Sequence, residues 1–370
     1  MTISRHINNA LSVMAALLTG VFCSVVFSYA SSDTPAEHRY STYEFGKGKN
    51  VINIGTQPLY VPTNIIIETM SRDAVLYDML KESGMEVRFF PFFKGSDVND
   101  FLLRGDLQVG VGGDMPAIEV ASADKVLVAS LMQYGFTSVV AERHTSIKDL
   151  RGTRIGYAFG SNAHYVLLNA LSVGGNTPKD VHLVKMDVTD MVDALKARRI
   201  DAFCAWEPTV TEALATLTGF EVIYSKVTSA YLYFRKDFHD SHPDAVDAIV
   251  ASELRALRWL QRDKRNLLIA VDWVLKRQAS FSSKSSPLTP EQIATLALDD
   301  LVGVNTDPRL PAGDFTQHGR LRDEFDFLKA IGLIPPTVSL DTVYKNFDPG
   351  IIRRVTTNPR RYRLDEYHYR

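Results

Sequence analysis

Residues 157–171 read YAFGSNAHYVLLNAL. The apolar run Tyr157-Ala158-Phe159 meets Gly160, Ser161 and Asn162, and then Ala163, Val166, Leu167, Ala170 and Leu171 recur at helical spacing. This pattern predicts a strand that turns at a glycine and enters a helix. Such a helix start exposes unpaired backbone N–H groups at the positive end of the helix dipole. Ser161 or Asn162 can satisfy some of them as an N-cap. A ligand with anionic oxygens can use the others. The choice depends on what the rest of the chain brings to the same place.

Working outward, the same strand–turn–helix unit recurs. Val51 to Gly55 reads as a buried strand, followed by helical periodicity over 63–83 and a closing Gly84. Glu86 to Phe93, Leu107 to Val111 and Val126 to Met132 read as strands, with helices at Ser96 to Arg104 and Met115 to Ala123. The order then restarts. Strands at Thr153 to Tyr157, Val181 to Val184, Ala202 to Ala205 and Val222 to Ile223 alternate with helices at 162–174, Thr189 to Arg198 and Thr209 to Leu217. Beyond about 237 the chain reads as helical, with apolar stripes in 243–262, 264–279, 290–301 and 317–331. Two series of this kind predict an α/β protein with two lobes, each built on a mostly parallel sheet. In open parallel sheets ligands bind beyond the C-terminal strand ends. Here those ends carry Thr56-Gln57-Pro58, Gly112-Gly113-Asp114-Met115, Phe159 to Asn162 and Ala205-Trp206-Glu207-Pro208. If the lobes face each other, all four line one cleft, the usual geometry of a small-molecule site.

Five segments also carry a family likeness. Ile147 to Gly156 (IKDLRGTRIG) followed by Gly160-Ser161-Asn162-Ala163-His164, then Thr177 to Val181 (TPKDV), Ile200 to Pro208 (IDAFCAWEP) and Asp106 to Pro116 (DLQVGVGGDMP) resemble the solute-binding proteins of taurine, alkanesulfonate and nitrate ABC importers. They span about residues 50–235 in the family's order. The chain is also similar to the pyrimidine-synthase-like proteins of thiamine biosynthesis. The resemblance implies a bilobed periplasmic-binding-protein type II fold with two parallel-core sheets flanked by helices. It implies crossover strands near Gly135 to Ala141 and Ala230 to Phe234, the second lobe inserted into the first, and C-terminal helices returning to the first. Lobe 1 would then comprise 50–136 and 235–350, lobe 2 would comprise 137–234, and 351–370 would be a tail. The partner it implies is an ABC permease in the inner membrane.

The expected ligand-binding residues are Gln57, Gly113, Asp114, Gln133, Gly160, Ser161, Asn162, Ala163, Trp206, Glu207 and Tyr231. The helix start at Ser161 to Ala163 suits anionic oxygens, with a dipole contribution of about 0.3–1 kcal/mol. Asp114 and Glu207 would repel a plain sulfonate or nitrate. They fit better as acceptors from an amine or amidine, so a zwitterion or nitrogen-bearing solute suits the set; their alternatives are a helix cap and a water-facing side chain. Trp206 can stack on a planar or cationic group, or pack in the core. His164, one turn into the helix, is expected as a packed or exposed residue and Cys204 as a small buried hydrophobe.

The net charge of −2 supports neither a nucleic-acid partner nor general attraction to an anionic membrane surface. Arg5, the uncharged apolar run 10–27 and Ser28-Tyr29-Ala30 have the form of a signal peptide cut after Ala30, with an uncleaved anchor as the rival. The cut would remove Cys23 and leave Cys204 alone, hence no internal disulfide and a periplasmic, monomeric protein held by its core. Residues 31–49 read as a flexible leader and the arginine-rich end as a solvated tail. No phosphate loop of the G-x-x-x-x-G-K-[ST] type occurs and His239-x-x-His242 lacks flanking ligands, so neither cofactor, metal nor enzymatic chemistry is expected. Two alternatives stay open: a ligand sensor of a signalling system, and a pyrimidine-synthase-like enzyme.

Overall fold

β-Branched residues fit a pleated surface covered on both faces, and Val51-Ile52-Asn53-Ile54-Gly55-Thr56 accordingly forms the buried strand β1 (Val51–Thr56). The computed structural model describes residues 36–303, 310, 312–316 and 319–370. It divides at Thr42 into two units. Of the first, the structure describes the one-turn helix α1 (Ala36–Arg39). The expected signal segment 1–30 lies outside the described residues. All that follows concerns the second unit, Tyr43–Arg370.

After β1 come α2 (Thr63–Met70), α3 (Ala74–Glu82), β2 (Glu86–Pro91), α4 (Gly95–Arg104), β3 (Val109–Gly113), α5 (Asp114–Ser122) and β4 (Val126–Glu142). The second series is β5 (Arg154–Tyr157), α6 (Asn162–Val173), β6 (His182–Lys185), α7 (Val188–Lys196), β7 (Ala202–Trp206), α8 (Thr209–Thr216) and β8 (Phe220–Arg235). Helices α9 (Lys236–Ser241), α10 (Pro243–Arg262), α11 (Lys264–Ser282), α12 (Pro290–Gly303), α13 (Arg320–Ala330), α14 (Leu340–Tyr344) and α15 (Pro349–Thr356) complete it.

The strands join in the order β2-β1-β3-β8-β4-β7-β5-β6. Two parallel trios, β2-β1-β3 and β7-β5-β6, flank a long antiparallel pair. The two expected sheets are these trios, and β4 and β8 join them into one ladder. The separate strands predicted at Val126 to Met132 and Gly135 to Ala141 are one strand, and Val222 to Ile223 belongs to β8. Register shifts between Val128 and Ser130 and between Leu131 and Gln133 keep the pair matched across the crossing, because bulges bend and twist a strand without ending it.

Three other readings are corrected. The helix predicted over 63–83 is two helices, because Asp73 caps α3, accepting from Val75 N at 3.0 Å. The leader is packed from Tyr43 onward. The Tyr43 hydroxyl donates to the Pro91 carbonyl, the Phe45 and Phe90 rings lie 4.7 Å apart, and Gly46 N donates to Asn53 Oδ1 at 3.1 Å. The tail is packed as well. Arg354 pairs with Asp247 at 2.9 Å, the Tyr362 hydroxyl donates to the same carboxylate at 2.7 Å, and Ala74 N donates to His368 O at 2.8 Å. Arg354 and Arg361, two of the basic residues read as solvated, find Asp247 and Asp244 on α10, a pairing that local sequence does not show.

Candidate functional site

The strand-end tips meet. Asn162, the first residue of α6, accepts from Met115 N of α5 through Oδ1 at 3.1 Å. Gly113 leaves the room for this: a Cβ there would stand 2.5 Å from Asn162 Nδ2. Gly160 turns with a φ of +72° and faces Ser96 at the start of α4, whose Cβ lies 3.9 Å from the place of a Gly160 side chain. Trp206 Nε1 donates to Leu59 O at 3.0 Å, and Val61 N donates to Glu207 O at 3.2 Å. Beside that contact lies a cavity of about 290 Å³ whose wall includes Leu59, Asp193, Pro208, Glu212, Gln278 and Lys284. Lys284, between α11 and α12, pairs across it with Asp193 at 2.9 Å. The ends of β1 and β3 thus touch those of β5 and β7.

Ser161 stands at the N-cap position, but its hydroxyl donates back to Ala158 O at 2.6 Å and no side chain caps α6. The N–H groups at Asn162 and Ala163 therefore keep the donor role that the helix start implies. Gln57 Nε2 donates to Val111 O at 2.8 Å and so binds the end of β1 to β3. Gln133 is fully buried in β4, and among the described residues neither atom of its amide has a partner. Tyr231 is fully buried in β8 and packs edge-on against Phe347 at 5.4 Å, and among the described residues its hydroxyl has no partner. One oxygen of Glu207 accepts from Thr211 N at 3.1 Å, and burial pushes its carboxyl pKa up.

Asp114 is fully buried and does not act as an N-cap, being the first residue of α5. Its Oδ2 accepts from Ser229 N at 2.8 Å and pairs with Arg320 Nη1 at 2.7 Å. Burial pushes its pKa up, while the guanidinium and the Ser229 N–H pull it back. Arg320 Nη2 also donates to the Ser229 hydroxyl at 2.8 Å and pairs with Asp314 at 3.1 Å. One turn on, Glu324 is fully buried; burial, then the charge of Asp114, hold its carboxyl pKa well above the usual range. Arg320 and Glu324 were missed in the sequence. Their signal is a glutamate inside the apolar stripe Leu321, Phe325 and Leu328, which is buried with it. His164 packs among Tyr157, Phe159 and Phe327, with burial lowering its pKa to about 4. Burial likewise pushes the Cys204 thiol pKa up.

Residues 49–275 match the model of the NMT1-like family. The chain is 32% identical over 186 residues to the taurine-binding periplasmic protein of Escherichia coli K12, covering 48% of this chain and 58% of that one. It thus spans under two thirds of that relative's length. Among solved structures, it is similar to the alkanesulfonate-binding protein SsuA of Xanthomonas axonopodis pv. citri bound to MOPS, at a TM-score of 0.59 and 16% identity, over 80% of this chain and 99% of that one. It is also similar to the periplasmic nitrate-binding protein NrtA of Synechocystis PCC 6803, at a TM-score of 0.60 and 14% identity, over 86% and 98%. These likenesses show a shared bilobed α/β fold.

Proposed function

Because the chain belongs to the NMT1-like family, we propose that it is the extracytoplasmic solute-binding protein of an ABC importer. It captures a small sulfonate- or nitrate-like or nitrogen-bearing organic solute between two lobes and presents it to an inner-membrane permease. Lobe 1 comprises 50–136 and 235–350, and lobe 2 comprises 137–234. The observation that carries this reading is the bond from Met115 N to Asn162 Oδ1, which brings two helix starts from the two parallel trios to one point. Helix starts suit anionic oxygens, and one relative is a taurine-binding periplasmic protein. The proposed ligand set is Gln57, Gly113, Asp114, Gln133, Gly160, Ser161, Asn162, Ala163, Trp206, Glu207 and Tyr231, together with Arg320 and Glu324, which contact or adjoin Asp114. The protein binds without catalysing, and export uses residues 1–30 as a cleaved signal, so N-terminal sequencing of the exported form should begin at Ser31.

A thermal-shift screen tests the reading. Taurine, alkanesulfonates, nitrate, amino acids, amines and pyrimidines are each added in excess. A true ligand at a hundred times its Kd stabilises the folded form by about 2.7 kcal/mol, so at least one class should raise Tm. A flat response across all six classes would remove the proposal.

A further inference from the structure

We infer that the solute carries a positively charged nitrogen and that Glu324, together with the free oxygen of Asp114, selects for it. The inference rests on the solute-binding reading above and deepens it. Helix α13, which supplies Glu324, lies beyond residues 49–275, the part shared with the family model.

Helix α13 lies against the starts of both α5 and α6. Its first residue, Arg320, reaches Asp114, and its Phe327 ring sits 5.8 Å from His164 and 5.1 Å from Tyr165. Both carboxylate oxygens of Glu324 are buried and, among the described residues, accept no hydrogen bond. Arg320 Nη1 stands 3.8 Å from Oε1, beyond hydrogen-bond reach. Asp114 Oδ1 and the Tyr231 hydroxyl are unpartnered in the same way. Arg320 is already engaged by Asp114, Ser229 and Asp314. Lys226 of β8, which attracts Glu324 at longer range, gives its Nζ to the Tyr165 hydroxyl at 2.7 Å. Among the described residues the cluster therefore holds Asp114, Glu324 and Asp314 against one closely bound guanidinium.

Buried polar groups in folded proteins have partners, and a buried carboxylate without a donor is costly. Without a donor, burial and the charge of Asp114 favour the protonated form of Glu324 over the carboxylate. An ammonium or amidinium placed between Glu324 and Asp114 Oδ1 supplies the missing N–H donors and lets the proton leave. The N–H groups at Asn162 and Ala163 remain for an anionic end. A plain anion uses only the helix start and leaves Glu324 as it was.

Calorimetry at pH 7 with three probes, 2-aminoethanesulfonate, ethanesulfonate and ethanolamine, tests this. The wild type should bind 2-aminoethanesulfonate tighter than ethanesulfonate by about tenfold or more, the range of a hydrogen bond to a charged group. Glu324→Gln should erase most of that preference, weakening 2-aminoethanesulfonate far more than ethanesulfonate. Repeating the wild-type titrations in buffers of different ionisation enthalpy reads proton release without any variant; release should accompany 2-aminoethanesulfonate and be absent with ethanesulfonate. Binding of ethanolamine alone would uphold the cation site and discard the sulfonate part of the functional reading. Equal affinity for the two sulfonates, or a preference kept by Glu324→Gln, would overturn the inference and leave the functional reading intact. Failure of all three probes would overturn the inference; the thermal-shift screen then decides the functional reading by itself.

Discussion

Replacing Arg255 by methionine should destabilise the protein by about 3–5 kcal/mol, the usual cost of stripping one partner from a buried ion pair. The side chains of Arg255 on α10 and Asp73 are both fully buried. Arg255 Nε and Nη2 donate to Asp73 Oδ2 at 2.9 and 2.6 Å, and Nη1 donates to Tyr362 O at 2.7 Å. One guanidinium thus fastens the cap of α3 and the C-terminal segment to the same helix. Methionine fills similar volume but leaves Asp73 charged without a counterion. Adding Asp73→Asn to Arg255→Met should restore part of the loss, because the uncompensated charge is then gone. Urea unfolding gives the answer through a lowered midpoint at constant slope. A loss below about 1 kcal/mol would mean that the pair is solvated, contrary to its geometry.

Acid should weaken the fold through His164. Its imidazole packs among Tyr157, Phe159 and Phe327 at 4.9, 5.0 and 5.8 Å between ring centres. Burial, then the charge of Lys185, lower its pKa from 6.5 to about 4. Between those two values the unfolded chain binds a proton that the folded chain refuses. Stability therefore rises with pH across this window and is lost as pH falls from 6.5 toward 4. The depressed pKa corresponds to about 3 kcal/mol of linked stability. His164→Phe keeps the ring packing and removes the titration, so its Tm should fall less than that of the wild type over this range. Equal losses in both proteins would place the acid-sensitive group elsewhere.

The tips of the site are legible in local sequence. Glycine followed by a small polar residue and a helical apolar pattern marks the starts of α5 and α6, and both lie where that pattern put them. The two parallel trios are legible for the same reason, since buried parallel strands read as short apolar runs between helices. The long crossing pair is not. Gln133-Tyr134-Gly135 interrupts the apolar run of β4, and Ser225, Lys226 and Thr228 interrupt that of β8, yet the ladder continues through both. A backbone ladder needs no apolar side chain where the strands serve as a connection. Arg320 and Glu324 gain their meaning only by meeting Asp114, some two hundred residues earlier, and no spacing within α13 reveals that meeting. Glu207 shows the converse. It lies at a strand end as predicted, and one of its oxygens is engaged at the start of α8.

The central claim is that solute is captured where Gly113 meets Asn162. The variant Gly113→Ala tests it most directly. The backbone there, with φ −68° and ψ −176°, accepts alanine without strain. The new Cβ would stand 2.5 and 2.6 Å from the two terminal atoms of the Asn162 amide, forcing Asn162 off Met115 N and holding the tips apart. The amide can swing away, but that leaves the buried Met115 N–H without its acceptor, at about 1–3 kcal/mol, which predicts an affinity reduced about 5- to 150-fold. Calorimetric titration of the solute that most raises Tm, into wild type and Gly113→Ala side by side, gives the result. The predicted outcome is that loss of affinity; equal affinity in the two proteins would contradict the claim that these tips close on the solute.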